Sequence, residues 1–387
     1  MEKPAYTLSQ LTKYFLKLGT TGFGGPVALV GYMHEDLVES KQWVAEEEYK
    51  QGLALAQLAP GPLAAQLSIY MGFVHYRIWG ATIAGLAFVL PSFIMVVLLG
   101  MAYKLYGGLF WMQSVFYGVG AAVIGIIVMG SYKLTIKSVG KLNLESLQKN
   151  WLLWVFYIVA AVITLITEQE QVLLFIGAGL IYMFVKAPPQ WAAGKPVNSI
   201  VLLQIGFWDY ELGILGKIAI FFAKAGAFVF GSGLAIVPFL HAGVVNEHHW
   251  LTEQQFLDAV AVAMITPGPV VITVAFIGYL VAGFPGASVA ALATFVPCYL
   301  FTILPAPYFK KIAKNRSIKA FVEGITAAVV GALAGAVIVI AKRSITDIPT
   351  ALIAFAALFA LIYIRKIQEL YIIAIAAILG ILLKSFL

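Results

Sequence analysis

Two tripeptides stand out for the chemistry that their backbone can do. Pro60-Gly61-Pro62 and Pro267-Gly268-Pro269 each interrupt a segment that otherwise reads as helix. A proline lacks a backbone donor, clashes with the preceding turn and pushes its predecessor out of the helical region. Two prolines flanking a glycine therefore end one helix, and a proline suits the first turn of the next. Half-helices are predicted over 46–59 and 62–74, and again over 252–266 and 269–282. Each second half-helix starts with N–H groups that have no intrahelical partner and with a partial positive charge, which together make an anion site. A second pair of interruptions is Gly22-Phe23-Gly24-Gly25-Pro26 and Phe230-Gly231-Ser232-Gly233. Glycine permits a bend and close approach of backbone, and successive free N–H groups form an anion-binding nest.

Side chains extend this pattern. Lys17 and Lys224 stand 7 residues before Gly24 and Gly231, about two helical turns. A lysine in an apolar segment is costly and marks a functional position, unless its stem snorkels to an interface. Neutral donors near the breaks are Gln57, Gln66, Ser68, Thr266 and Thr273. The expected binding set is Lys17, Gly24, Gly25, Gln57, Pro60, Gly61, Pro62 and Gln66 in the first half of the chain. In the second half it is Lys224, Gly231, Ser232, Gly233, Thr266, Pro267, Gly268, Pro269 and Thr273. His34, His241, Glu46 and Glu253 are the repeated titratable groups and the candidates for carrying a coupling proton. Their competing reading is an interfacial histidine beside a carboxylate at a helix start.

The elements that must hold these residues follow from composition. Of 387 residues, 61% are hydrophobic and 11% are charged, against about 25% charged in a soluble domain. Mean hydropathy is +0.93. Such a chain belongs in a bilayer, which excludes a cytosolic globular protein, a disordered chain and a nucleic-acid binder despite the net charge of +7. Long apolar runs without alternation predict spanning helices rather than barrel strands. Runs at 151–167 and 171–185, and at 349–364 and 370–383, are short and closely spaced, so each pair is expected as a helical hairpin. Cys298 stands alone, so no internal disulfide, thiolate metal site or iron–sulfur cluster is expected, and no other metal or cofactor. No cleavable signal sequence is expected. HExxH, Walker A and GxSxG patterns are absent, so the chain is not expected to be an enzyme.

The chain is written twice. Residues 15–62 laid over 222–269 match at sixteen of 48 positions, among them Lys17/Lys224, Gly24/Gly231, His34/His241, Trp43/Trp250, Glu46/Glu253 and both Pro-Gly-Pro runs. At an offset of 206, Pro91 then falls over Pro297, and Gly118, Ala121, Ala122 and Gly125 fall over Gly324, Ala327, Ala328 and Gly331. These last are small-residue stripes suited to helix packing. The expected organisation is a repeat over 1–186, a Pro-rich linker over 187–213 and a second repeat over 214–387. Equivalent loops differ in charge: 104–108 is poor in basic residues but 306–319 is rich, and 168–170 is acidic where 364–366 is basic. With basic loops cytoplasmic, the two repeats face opposite ways. The expected fold is an all-α polytopic membrane protein, two homologous helical repeats in inverted topology with broken or re-entrant helices, a plan that secondary transporters use.

These motifs resemble those of the chromate ion transporter family. The resemblance is carried by Phe23-Gly24-Gly25-Pro26, Trp43, the stretch Ala56-Gln57-Leu58-Ala59-Pro60-Gly61-Pro62, Gln66-Leu67 and Leu90-Pro91. In the second half it is carried by Phe230-Gly231-Ser232-Gly233, Val237-Pro238-Phe239, Gln255-Phe256-Leu257-Asp258-Ala259-Val260 and Thr266-Pro267-Gly268-Pro269. It covers both halves, as in the two-domain form of that family. It implies an inner-membrane exporter of chromate that confers resistance, with sulfate as competitor; a permease or channel for sulfate or another oxyanion is the alternative. The implied partners are the oxyanion and the lipid bilayer, with no nucleic acid; a homodimer is compatible with the sequence. Ala227-Phe228-Val229 stand where the first half has Thr20-Thr21-Gly22, so the two walls of the site are not expected to contribute equally.

Overall fold

The computed structural model describes residues 6–23, 25–168, 172–189, 213–228, 230–231, 233–309, 315–364 and 368–386. Gly24, Ser232 and most of the expected linker lie outside these. In the first half, α1 (Leu8–Thr21) and α2 (Gly25–His34) flank the glycine interruption, and a π turn (Glu35–Ser40) follows. Next come α3 (Glu46–Leu58), β1 (Gly61–Pro62), α4 (Leu63–Tyr106), α5 (Phe110–Ser138), α6 (Leu144–Lys149), α7 (Trp151–Thr167) and α8 (Val172–Lys186). The second half has α9 (Ile214–Phe228), β2 (Phe230–Gly231), α10 (Val237–His241), a π turn (Ala242–Glu247), α11 (Glu253–Ile265) and α12 (Thr273–Ile303). It closes with α13 (Arg316–Ser344), α14 (Ile348–Tyr363) and α15 (Glu369–Phe386). Among the described residues, the segments 63–106, 110–138, 270–308 and 316–344 are long and apolar enough to cross a membrane.

Local sequence explains the element ends. Thr7 caps α1 with its hydroxyl accepting from the Gln10 amide, Thr252 caps α11 in the same way through Gln255, and Asp347 caps α14 through Thr350. Glu46, Glu47 and Glu48 fill the first turn of α3, where the helix dipole favours acids. The predicted breaks are real. Ala59 and Thr266 leave the helical region at ψ 142° and 140°, and Gly61 and Gly268 adopt φ of 141° and 97°.

α4 and α12 each contain a second discontinuity. Arg77 (φ 51°) and Gly283 (φ 63°) fold each helix back on itself, so that Gly72 meets Gly80 and Gly278 meets Gly286. The first arms, 63–76 and 273–281, thus form a shallow hairpin with the half-helix before each break. The second arms make the long crossings. Glycine suits the left-handed turn at 283, whereas arginine holds the same conformation at 77 and lays its guanidinium over the Phe73 ring.

The short helices do not form self-packed hairpins as expected. α7 and α8 flank α13 of the opposite half, and α14 and α15 flank α5. The small-residue stripes are the reason. A Cβ at Gly118 or Gly125 would strike backbone oxygens of Ala376 or Ala354, and one at Gly324 or Gly331 would strike those of Ala178 or Tyr157. In lipid, association rests on such close backbone approach. Gly118→Leu and Gly324→Leu should therefore each destabilise the protein by about 1–3 kcal/mol. Gly177→Leu, at a helical glycine with open space where its side chain would go, is the control. Thermal unfolding of detergent-purified protein measures the difference, with a clear drop in midpoint for the first two only.

Candidate functional site

The interruptions that look separate in sequence meet in space, each Pro-Gly-Pro break with the glycine loop of the opposite half. Gly61 and Pro62 pair in parallel register with Phe230 and Gly231. The Gly268 amide donates to the Gly22 carbonyl at 2.9 Å. Each Pro-Gly-Pro break is thus closed by the glycine loop of the opposite half. A residue from a long arm seals each junction. Ser92 Oγ donates to the Pro267 carbonyl at 2.7 Å and lies against Gly268. Cys298, its equivalent at an offset of 206, places Sγ 3.0 Å from where a Gly61 Cβ would be. Ser92 and Cys298 are fully buried, and neither featured in the expected set.

A small cavity of about 20 Å³ opens at the second break, lined by Gly22, Phe23, Gly25, Thr266, Gly268, Val270 and the unexpected Glu369. Gly22 also lines a larger cavity of about 440 Å³ with Lys13, Lys17, Lys41, Asp36, Thr21, Tyr14, Tyr32 and Trp43. Three lysines against one aspartate give this outer chamber a positive character. Gly22 and its neighbours are the wall between chamber and break.

Residue by residue, the expected set divides. Lys17, Gly25, Thr266 and Gly268 gather around these two cavities. Gly61, Pro62, Gln66 and Gly231 gather at the first break. Gln66 is fully buried, donates from Nε2 to the Pro60 carbonyl at 2.8 Å, and has its buried Oε1 without a partner. Gly233 faces Val270 and Val271, beyond Pro267 and Pro269 in the second break. Lys224 and Gln57 are exposed. The hydroxyls are already committed: Thr266 donates to Ala263, Thr273 to Val270 and Ser68 to Ala65, within their own helices. Backbone groups rather than hydroxyls are therefore the donors that each break offers.

The repeated titratable pairs are brought together in both halves. His34 Nε2 lies 2.8 Å from Glu46, and His241 Nε2 lies 2.8 Å from Glu253. They clamp each π turn to the start of the following half-helix. Lys50 and His34 hold the Glu46 carboxyl below its ordinary range. A lowered carboxylate stabilises the fold above its unfolded pKa, and that contribution is lost as pH falls through the folded value. The second clamp is deeper, with His241 2% exposed, and it is extended by Arg343, which pairs with Glu168 and donates to Asn246 at 2.8 Å.

The family model for chromate transporters matches residues 9–183 and again 216–381. The chain belongs to the chromate transporter family. A chromate transport protein of Cupriavidus metallidurans is 62% identical over 97% of this chain and 93% of its own length. A probable chromate transport protein of Synechococcus elongatus is 59% identical over 99% and 97%. A chromate transport protein of Pseudomonas aeruginosa is 28% identical over 94% and 89%. No solved structure matches. The family is one of transporters, not enzymes, and the chain is a multi-pass helical membrane protein.

Gly268→Ala tests the junction. It forces a Cβ into φ 97° and against Ser92, a strain of about 1–3 kcal/mol. Transport should fall at least tenfold, and Ser92→Gly in the same chain should restore part of it by making room. Vesicle uptake assays with matched protein amounts check this.

Proposed function

We propose that this protein exports chromate from the cytoplasm across the inner membrane, with sulfate as a competitor, by alternating access between two inverted repeats. The observation that carries the reading is the lysine-lined chamber leading to the junction of the Gly22 loop with the second break. An oxyanion drawn in by Lys13, Lys17 and Lys41 would next meet backbone donors at the mouth of a half-helix. The names of the relatives supply the anion.

Inversion is supported by where equivalent elements lie. Glu46 shares a cavity with Arg77, Ala306 and Pro307. Its equivalent Glu253 shares one with Tyr117, Arg343 and Thr350. The second arm of α4 runs from Ile78 beside Tyr299 to Tyr106, roughly 40 Å of helix, so these cavities are at opposite ends. The stretch 133–149, with its four lysines, falls at the Glu46 end, as do Arg316 and Lys319 at the start of α13, and with basic loops cytoplasmic this end is the cytoplasmic one. The chamber at Lys41 and Trp43 is at this same end, since Trp43 stacks on Tyr6 and Tyr6 accepts from Tyr76. The open side of the site thus faces the compartment from which an exporter loads. Export of a dianion from an inside-negative cell gains about 4.6 kcal/mol per 100 mV, twice roughly 2.3 per charge.

Inverted vesicles with a clamped potential test this directly. Labelled chromate should accumulate, excess sulfate should inhibit, and collapsing the potential should slow uptake. Absent uptake sinks the reading. Lys17→Ala, alone and with Lys13→Ala and Lys41→Ala, should raise the KM for chromate several-fold and flatten its dependence on ionic strength, as expected for charges that steer an anion. Unchanged KM values would remove the chamber from the pathway.

A further inference from the structure

The chain buries one carboxylate that the transport pathway above does not use. Asp258, in the middle of α11, is 2% exposed. Its Oδ2 accepts from the Tyr103 hydroxyl at 2.6 Å, and its Oδ1 accepts from the Gln254 amide at 2.9 Å. Among the described residues no cation reaches it. The elements packed around α11 carry among their titratable groups Tyr103 and Lys104 on α4, Tyr117, Lys133 and Lys137 on α5, Tyr279 on α12, Lys342 and Arg343 on α13, Glu369, Tyr371 and Lys384 on α15, and Glu247 on the π turn. Of these only Tyr103 touches it.

Three features set Asp258 apart from an ordinary buried polar residue. The first is that its bond to Tyr103 joins the two halves: α4 belongs to the first and α11 to the second. The second is access. Gln254, which holds the other carboxylate oxygen, lines a cavity of about 160 Å³ with Glu253, Arg343 and Ser344, and the buried Ser344 hydroxyl has no partner there. The third is an internal control that the duplication provides. The positions equivalent to Asp258 and Tyr103 are Gln51 and Phe309. Phe309 packs into the first-half cluster with Tyr49 and Tyr70, so an aromatic ring of one half enters the other there too. The two equivalent positions there hold an amide and a phenyl ring, neither of which titrates. A contact needed only for packing would not require a carboxylate at one end alone.

We propose that Asp258 is the proton-binding site of the transport cycle and that its occupancy follows the opening and closing of the Tyr103 contact. The inference rests on the alternating-access reading above. While the contact is closed, burial favours the neutral Asp258 acid and the two donors pull it back towards the ionised form. When the halves move apart, the Tyr103 donor is lost in a low-dielectric setting, and the neutral acid is favoured. The carboxylate then takes a proton from hydronium in the Glu253 cavity, leaving water. Closure returns the donor, and the proton passes to a water molecule on the lysine-chamber side, leaving hydronium there. That cavity is at the end opposite the lysine chamber, so protons enter where the oxyanion leaves, and the exchange is an antiport.

The test uses the full chain in inside-out vesicles with a trapped pH dye, potassium and valinomycin holding the potential at zero, and labelled chromate outside. Wild type should alkalinise the lumen in step with chromate uptake. In Asp258→Asn the pH change per chromate should fall to background, whatever the absolute rate of uptake, and uptake should lose its dependence on pH between about 6 and 8. Tyr103→Phe keeps the ring and removes the donor, and should move the pH of half-maximal uptake upward by about one unit, a tenfold change in proton affinity. Chromate uptake with no pH change or with acidification, or an Asp258→Asn protein with the wild-type ratio, overturns the inference while leaving the transport reading intact. Absence of uptake by wild type removes both.

Discussion

Backbone hydrogen bonding in a low-dielectric medium governs this molecule. A helix broken at membrane depth exposes N–H and C=O groups that lipid cannot satisfy. Here the breaks are closed by exchange: the second Pro-Gly-Pro donates from Gly268 to the Gly22 loop, and the first pairs with Phe230 and Gly231. Gln66 of the same half reaches the Pro60 carbonyl, but each break also takes backbone partners from the opposite half. The rest follows from that. The four interruptions must meet near the centre, the long arms of α4 and α12 must pass beside them to bring Ser92 and Cys298 into place, and the outer helices must brace the result.

Exchange also places the polar backbone where an anion can use it. The first turn of a half-helix has donors and a favourable field, but it needs a route from water and protection from lipid. In the proposed reading the lysine chamber would supply the route and the opposing glycine loop the cover. Glu369, at the start of α15, lines the same small cavity, so the end of the chain's second half also reaches the break.

Much of this was legible in the sequence, because helix breaks are written in residues whose backbone constraints are absolute. Pro60, Gly61, Pro267 and Gly268 announce themselves, and the duplication turns each into a pair. The small-residue stripes at Gly118 and Gly324 were legible as packing surfaces for the same reason. Their partners were not: nothing local says that α5 receives α14 and α15 rather than its own neighbours α7 and α8. Side-chain roles were less legible still. Thr266 and Thr273 look like ligand donors in one dimension, yet each has a carbonyl of its own helix within reach, as hydroxyls in apolar helices usually do. Asp258 was visible as an acid in an apolar run aligned with Gln51, but its meaning depends on Tyr103, 155 residues away. Lys13 and Lys41 read as ordinary surface charge until α1 and the π turn bring them into one chamber with Lys17.

The exchanged outer helices also bear on how such a chain is assembled. α7 and α8 leave the ribosome well before α13, the helix they are shaped to embrace. Until it arrives they must stand in the bilayer with their glycine and alanine faces against lipid. α5 likewise waits for α14 and α15, which are made long after it. Insertion and assembly are therefore separated in time. The first half enters the membrane as helices short of their partners, and its packing is completed only once α13, α14 and α15 have followed.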